Sequence, residues 1–250
     1  MMITVFFLLF SNPQAAMAES PEVLSISEND WPPYFFAGKP DSPEGIGKEI
    51  LKMCISEAGY GYKFEFYPVR RMYSYLEDGK MDIAVFSYKK ERESFVIYGK
   101  EPIFSSGYRP VVLASGNIKI SSLKDFDKLK VGHLAGLQYS KPFLEYIEKR
   151  RDIIVTTAGD SCLKMLLSNI IDVFADTKDT VLWRAKQMNA LDKIRVLDFD
   201  IQTSEYFITI SKKSAVIKEK EMFLNSLDYC LKAAKTDGRY ARIFEKYGIR

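Results

Sequence analysis

The sequence predicts an α/β protein made of two consecutive α/β units closed by a helical tail. Three observations carry this. Strand and helix patterns alternate twice along the chain. A length of 250 residues suits one large domain or two of ordinary size. Two extended passages fall where the chain would cross between the units. The balance is globular, with 47% hydrophobic and 28% charged residues.

Val23 to Ser27 alternates apolar and polar residues and reads as the first strand. It runs into Trp31-Pro32-Pro33-Tyr34, where the prolines stop a helix and favour extended backbone. Gly45 to Gly59 is an amphipathic helix that ends at a glycine. Tyr62 to Tyr67 alternates as a second strand, and a helix from Val69 to Asp78 stops at Gly79. Met81 to Phe86 is the third strand, and its apolar run suits burial on both faces. This β-α-β-α-β order implies a parallel sheet with right-handed crossovers.

Ser94 to Tyr98 is a short apolar segment, Pro102 to Ser106 a turn, and Gly107 to Ala114 strand-like. Ser122 with Asp125 matches a capping box. Strands follow at Lys130–Leu134, Ile153–Thr156, Asp172–Ala175 and Ile194–Leu197. Helices fall at Gln138–Lys149, from Asp160, and from just after Asp176 to Met188. Tyr206 to Ile210 is extended again. Helices at Ala215–Lys235 and Arg239–Tyr247, separated by Asp237-Gly238, close the chain. Residues 107–114 and 204–210 are natural crossing points, after which the tail can complete the first unit.

Composition narrows the function. The net charge of +3, without a dense basic run, argues against nucleic acid. Lys149-Arg150-Arg151 beside Glu148 and Asp152 reads as a solvated helix end. Ile3 to Phe10 is an apolar run too short to span a bilayer, and Ala16-Met17-Ala18 fits a signal-peptidase site. Residues 1–18 are therefore expected to be a secretory signal, although no Lys or Arg precedes the apolar run. No later stretch approaches transmembrane length. Cys54, Cys162 and Cys230 each lie on an apolar helical stripe. Export would permit a disulfide, but these positions read as small buried hydrophobes. His133 is the only histidine, set among apolar strand neighbours, and no CxxC pair exists. No metal site, cofactor or nucleophilic pair is expected.

The third strand ends in Ser87 and Tyr88, and Arg92 follows a few residues on. Open α/β sheets bind ligands beyond the carboxyl ends of their strands, so a hydroxyl and a guanidinium there suit a small anion. A buried strand followed by a solvated charged turn is the alternative.

The ordered pieces resemble a known family. They are Trp31-Pro-Pro-Tyr34, Gly45-Ile46, Leu76-x-x-Gly79-x-x-Asp82, Glu91-Arg92, Leu123-Lys-Asp-Phe126, Lys130-Val-Gly132, Asp172 with Asp176, and Asp237-Gly238. The chain resembles the bacterial extracellular solute-binding proteins of the polar amino acid type, family 3, the periplasmic receptors of ABC importers. The resemblance implies a type II periplasmic-binding-protein fold, with two lobes joined by two hinge strands. Lobe one would hold residues 19–110 and 205–250, and lobe two residues 111–204. Arg92 would clamp a carboxylate, whose geometry a guanidinium fork matches. Asp176 would take an α-ammonium, with helix capping as its alternative. Trp31 and Tyr34 would wall the cleft, or else pack between domains. Ser87 falls where hydroxyl and backbone groups hold the ligand.

Two departures stand out. Gly136-Leu137-Gln138-Tyr139 replaces a usual Gly-Thr-Thr, which makes Gln138 and Tyr139 candidates at the second-lobe anion site. Phe86 and Tyr88 flank Ser87 where small residues are usual, which predicts a narrower pocket or a more aromatic ligand. Arg71 would add a cation if its helix face meets the cleft; otherwise it is solvated. Glu28 would face the cleft or form a turn. Asp82 belongs to the turn before the third strand and reads as structural.

The implied protein is a periplasmic monomer that binds an amino acid or small organic acid and serves an ABC permease. Rival readings are a dehydratase or lyase on the same scaffold, and a free-standing sensory module. The lone histidine and the absence of evident paired carboxylates argue against the enzyme. The lack of an anchor or signalling domain lowers the sensory reading.

Overall fold

A computed structural model describes residues 22–37, 42–135, 139–157 and 159–249. The expected secretory segment and Gln138 lie outside these described residues. Alternation along β1 (Val23–Glu28), β2 (Gly61–Phe66) and β3 (Ile83–Ser87) gives three parallel strands ordered β2-β1-β3. The connections are α1 (Ile46–Glu57) and α2 (Val69–Asp78), the βαβ crossovers that a parallel pair requires. The apolar stripe of α1 buries Ile46, Ile50, Leu51, Cys54 and Ile55.

Asp82 is structural, as read from the sequence. Its carboxylate accepts the Ser25 amide at 2.9 Å and the Ser214 hydroxyl. Its own amide donates to the Ser25 carbonyl at 2.9 Å. One side chain thus joins β1, the entry to β3 and the segment after the last strand. Asp82→Ala would strand a buried amide and hydroxyl, and is expected to cost about 2–3 kcal/mol in urea unfolding.

The main departure from expectation is β4 (Val96–Leu113), one strand of 18 residues. The turn read at Pro102–Ser106 lies inside it. Register shifts between Tyr98 and Pro102 and between Pro102 and Phe104 absorb the proline, which cannot donate to the ladder. β4 pairs antiparallel with β9 (Gln202–Ser211) from Val96↔Ser211 to Tyr108↔Gln202. The other edge of β9 pairs with β3.

Beyond Tyr108, β4 enters the second unit. There it pairs with β7 (Val173–Thr177) and β8 (Ile194–Val196). β5 (Val131–Leu134) and β6 (Ile154–Thr156) extend this half in parallel, in the order β7-β5-β6. β4 and β9 are therefore the two strands that run between the halves. Helices α3 (Lys141–Lys149), α4 (Ser161–Leu167) and α5 (Lys178–Gln187) belong to the second unit. α3 starts three residues later than expected. The capping box at Ser122 and Asp125 is present, on a short 3-10 helix.

The tail helices α6 (Lys220–Asp237) and α7 (Arg239–Lys246) return to the first half. Leu227 and Leu231 of α6 share one buried cluster with Ile26, Ile50, Ile83 and Ile208. Separate clusters around Phe126, Phe143 and Val173, and around Leu163, Phe174 and Val181, fill the second half.

Two sequence readings are corrected. Cys54 and Cys230 form a disulfide between α1 and α6, where the sequence alone favours small buried hydrophobes. Both stripes are buried, but only the folded chain brings them face to face across a separation of 176 residues. Cys162 is buried and free. Arg150 is not a solvated helix end, since its guanidinium donates to the carbonyls of Phe126 (2.7 Å) and Leu129 (3.0 Å).

Candidate functional site

A cavity of about 870 Å³ lies between the two halves. From the first half it is lined by Trp31, Met72, Tyr73, Phe86, Ser87 and Arg92. The second half contributes Tyr139, Asp176 and Arg184, and the connecting strands β4 and β9 contribute Tyr108, Gln202, Ser204 and Tyr206. The location is the carboxyl ends of β3 and β7, where an open α/β sheet presents strand ends to a ligand.

Arg92 sits on the 3-10 turn Lys90–Ser94 that follows β3. Its Nη1 donates to the Ser87 carbonyl at 2.7 Å and its Nη2 to the Tyr73 hydroxyl at 2.9 Å. The guanidinium lies 4.6 Å from the Phe86 ring centroid and 5.6 Å from that of Tyr73, and these two rings are themselves stacked. Both hydrogen-bond partners are neutral, so they orient the charge without cancelling it. Ser87 takes part through its carbonyl.

Asp176 is the penultimate residue of β7, and Thr177 rather than Asp176 is the cap of α5. The Asp176 carboxylate accepts the Thr177 amide at 2.7 Å and Arg184 Nη1 at 3.0 Å. Burial pushes its carboxyl up to about 6, against the pull of the Arg184 guanidinium and the Thr177 hydrogen bonds. An unfolded Asp titrates near ~4. The folded chain therefore holds this proton more tightly. The stabilisation is complete below about pH 4 and is lost as pH rises through about 6. The stability of wild type relative to Asp176→Asn is expected to fall by on the order of 2–3 kcal/mol between about pH 4 and 8. Chemical denaturation at the two pH values measures it, and a flat difference would disprove the assignment.

Trp31 stands in the cavity wall with its ring 4.8 Å from that of Tyr206. Tyr34, expected beside it, is fully buried instead. Residues 31–35 double back rather than extend, because the Tyr34 and Phe35 amides both donate to the Trp31 carbonyl at 2.9 and 3.0 Å. That turn stacks Tyr34 on Phe104, and its hydroxyl donates to Asp179 of α5. Tyr34 thus takes the domain-packing alternative.

Arg71 is exposed and does not line the cavity; Met72 and Tyr73 are the residues of α2 that do. Tyr139 reaches the cavity, but its hydroxyl donates to the Ala175 carbonyl at 2.8 Å, which ties the segment leading into α3 to β7. Glu28 is buried and paired with Lys48 at 3.0 Å, outside the cavity. His133 is partly buried, and burial lowers its pKa. Tyr88 is exposed and bonded to Glu93 at 3.0 Å, so only Phe86 narrows the site. Among the described residues no group of His, Cys, Asp or Glu is placed to hold a metal ion.

The sequence profile of the bacterial extracellular solute-binding proteins, family 3, matches residues 24–249. The chain belongs to this family.

Solved structures agree on the two-lobe architecture. An ancestral cationic amino acid solute-binding protein superposes with a TM-score of 0.74 at 22% identity, covering 90% of this chain and 95% of that one. The second substrate-binding domain of GlnP from Lactococcus lactis, in its open conformation, gives 0.70 at 20% identity, with coverage of 92% and 97%. An ancestral arginine-binding protein bound to glutamine gives 0.66 at 22% identity, with coverage of 92% and 100%. Among curated protein sequences none matches significantly.

As a solute-binding protein, the chain places Trp31, Ser87, Arg92, Tyr139 and Asp176 around one cavity, and leaves Tyr34 and Arg71 out of it. Two residues that hold the charged groups escaped the sequence reading: Tyr73, which holds Arg92, and Arg184, which pairs with Asp176. Phe86, which the sequence sets beside Ser87, stacks on Arg92. Tyr73 and Arg184 carry no local signal, because each meets its partner only after helix packing.

Proposed function

We propose that the protein is a periplasmic receptor that closes on a small polar, amino-acid-like solute between its lobes and delivers it to an ABC-type permease. The observation that carries this reading is Arg92, oriented on the cavity wall by neutral partners and backed by aromatic rings. Such a guanidinium suits a ligand carboxylate, while Trp31 and Tyr206 offer apolar walls. Lobe one is taken as residues 19–110 with 205–250, lobe two as 111–204, and residues 1–18 as the export signal. The Cys54–Cys230 disulfide suits an oxidising compartment. The solved neighbours include a cationic amino acid binder and an arginine-binding protein bound to glutamine, which supports an amino-acid-like ligand.

The receptor acts as a monomeric binder without a cofactor, not as an enzyme. A thermal-shift screen against amino acids and small organic acids tests it, since a ligand that binds the native state raises the melting temperature. A hit should bind one to one, be recovered chemically unchanged, and compact the scattering profile by hinge closure. Turnover of the hit would overturn the pure-binder reading.

A further inference from the structure

The second half of the cavity presents a salt bridge rather than a free carboxylate. Both oxygens of Asp176 are engaged, one by the Thr177 amide and the other by Arg184. Arg184 comes from α5, the helix that begins directly after β7. It is fixed in turn, because the same Nη1 donates to the Gly159 carbonyl. A Cβ added at Gly159 would lie 2.7 Å from Arg184 Nη2 and 3.2 Å from Cζ, so the glycine lets the guanidinium approach the backbone closely. Gly159, Asp176 and Arg184 all line the cavity.

An ammonium entering this end meets an acceptor already filled by an internal cation. A carboxylate meets a guanidinium held in place through Nη1, whose Nη2 and Nε carry further N–H donors. The charge balance agrees. Lys89, Arg92, Lys141 and Arg184 line the cavity against Asp30 and Asp176, four basic side chains to two acidic.

We propose that Arg184 is the specificity-determining contact of the second half, and that the cavity selects a small dicarboxylate, with or without an amino group, over solutes with one acid group. One carboxylate sits on Arg92 and the other on Arg184. This rests on the reading of the cavity as the ligand site. It assigns Asp176 the task of positioning Arg184 rather than binding an amine.

Titration calorimetry of the mature protein with succinate, L-glutamate, L-glutamine and L-arginine tests it. Wild type is expected to bind succinate and glutamate at least tenfold more tightly than glutamine or arginine. Arg184→Gln should weaken the two diacids roughly tenfold to a hundredfold, as loss of a charged hydrogen bond does, and so erase their preference over glutamine. Arg184→Lys, which keeps the charge, should recover part of it. Asp176→Asn should tighten the diacids, because the guanidinium is no longer shared.

Arg184→Gln also leaves a buried carboxylate unpaired. The double variant Asp176→Asn/Arg184→Gln removes both charges and keeps the test readable if the single variant folds poorly. The opposite pattern overturns the proposal. If wild type prefers arginine or glutamine and Asp176→Asn abolishes that binding, Arg184 is only a place-holder for a ligand cation, and the cavity reading survives. If no member of the panel binds, or if Arg92→Ala binds like wild type, the cavity reading fails and this proposal with it.

Discussion

Replacing Arg92 with alanine is expected to weaken solute binding about a hundredfold, on the order of 3 kcal/mol. The argument is one of preorganisation. The guanidinium is held by the Ser87 carbonyl and the Tyr73 hydroxyl, and lies 4.6 Å from the Phe86 ring centroid. Side-chain entropy that a ligand contact would otherwise cost is already lost in the unliganded protein. A carboxylate then gains charged hydrogen bonds to a fork that fits it.

Arg92→Lys keeps the charge without the fork, and should recover only part of the affinity. Tyr73→Phe removes one of the two orienting bonds and should cost up to about tenfold. Calorimetry with the best hit from the thermal-shift screen measures all three. Wild-type affinity in Arg92→Ala would remove Arg92 from the site.

Much of this arrangement is legible in the sequence, and the boundary of legibility has a physical cause. Periodicity reports which face of an element is buried, so the stripes of α1 and α6 can be read directly, and the β-α-β-α-β alternation implies a parallel sheet without fixing its strand order. Local sequence puts Arg92 just beyond the end of β3, and the family resemblance is what points to it as a clamp. Arg71 could not be placed, because one residue of helix rotation separates it from Met72, which does face the cavity.

Tyr34 illustrates a different limit. The Trp-Pro-Pro-Tyr stretch reads as extended, yet three backbone hydrogen bonds fold residues 31–35 back and send Tyr34 into the core. Pro102 misled in the opposite direction. A proline suggests a turn, but the irregular register of β4 against β9 accommodates it within the strand. Arg184 and Tyr73 lie beyond any local rule, since their roles exist only once α5 and α2 are packed.

Removing the Cys54–Cys230 link is expected to have the largest effect on stability. The bond closes a sequence separation of 176 residues, and the chain-entropy model assigns a loop of that length about 5 kcal/mol. The link ties α1 to α6, so it fastens the returning tail to the half that carries Arg92. Cys54→Ala with Cys230→Ala avoids leaving an odd thiol, and should lower the melting temperature by roughly 10–20 °C at about 2–4 °C per kcal/mol. Mild reduction of the wild type should reproduce the shift.

Cys162 does not complicate the experiment. It is buried in the second half with Leu163, Phe174 and Val181, and burial pushes its thiol up to about 12, so little thiolate exists to exchange. A melting temperature that moves by less than ~3 °C in the double variant would mean that packing of the α1 and α6 stripes already holds the tail. The disulfide would then contribute little beyond what Ile50, Leu227 and Leu231 supply by burial.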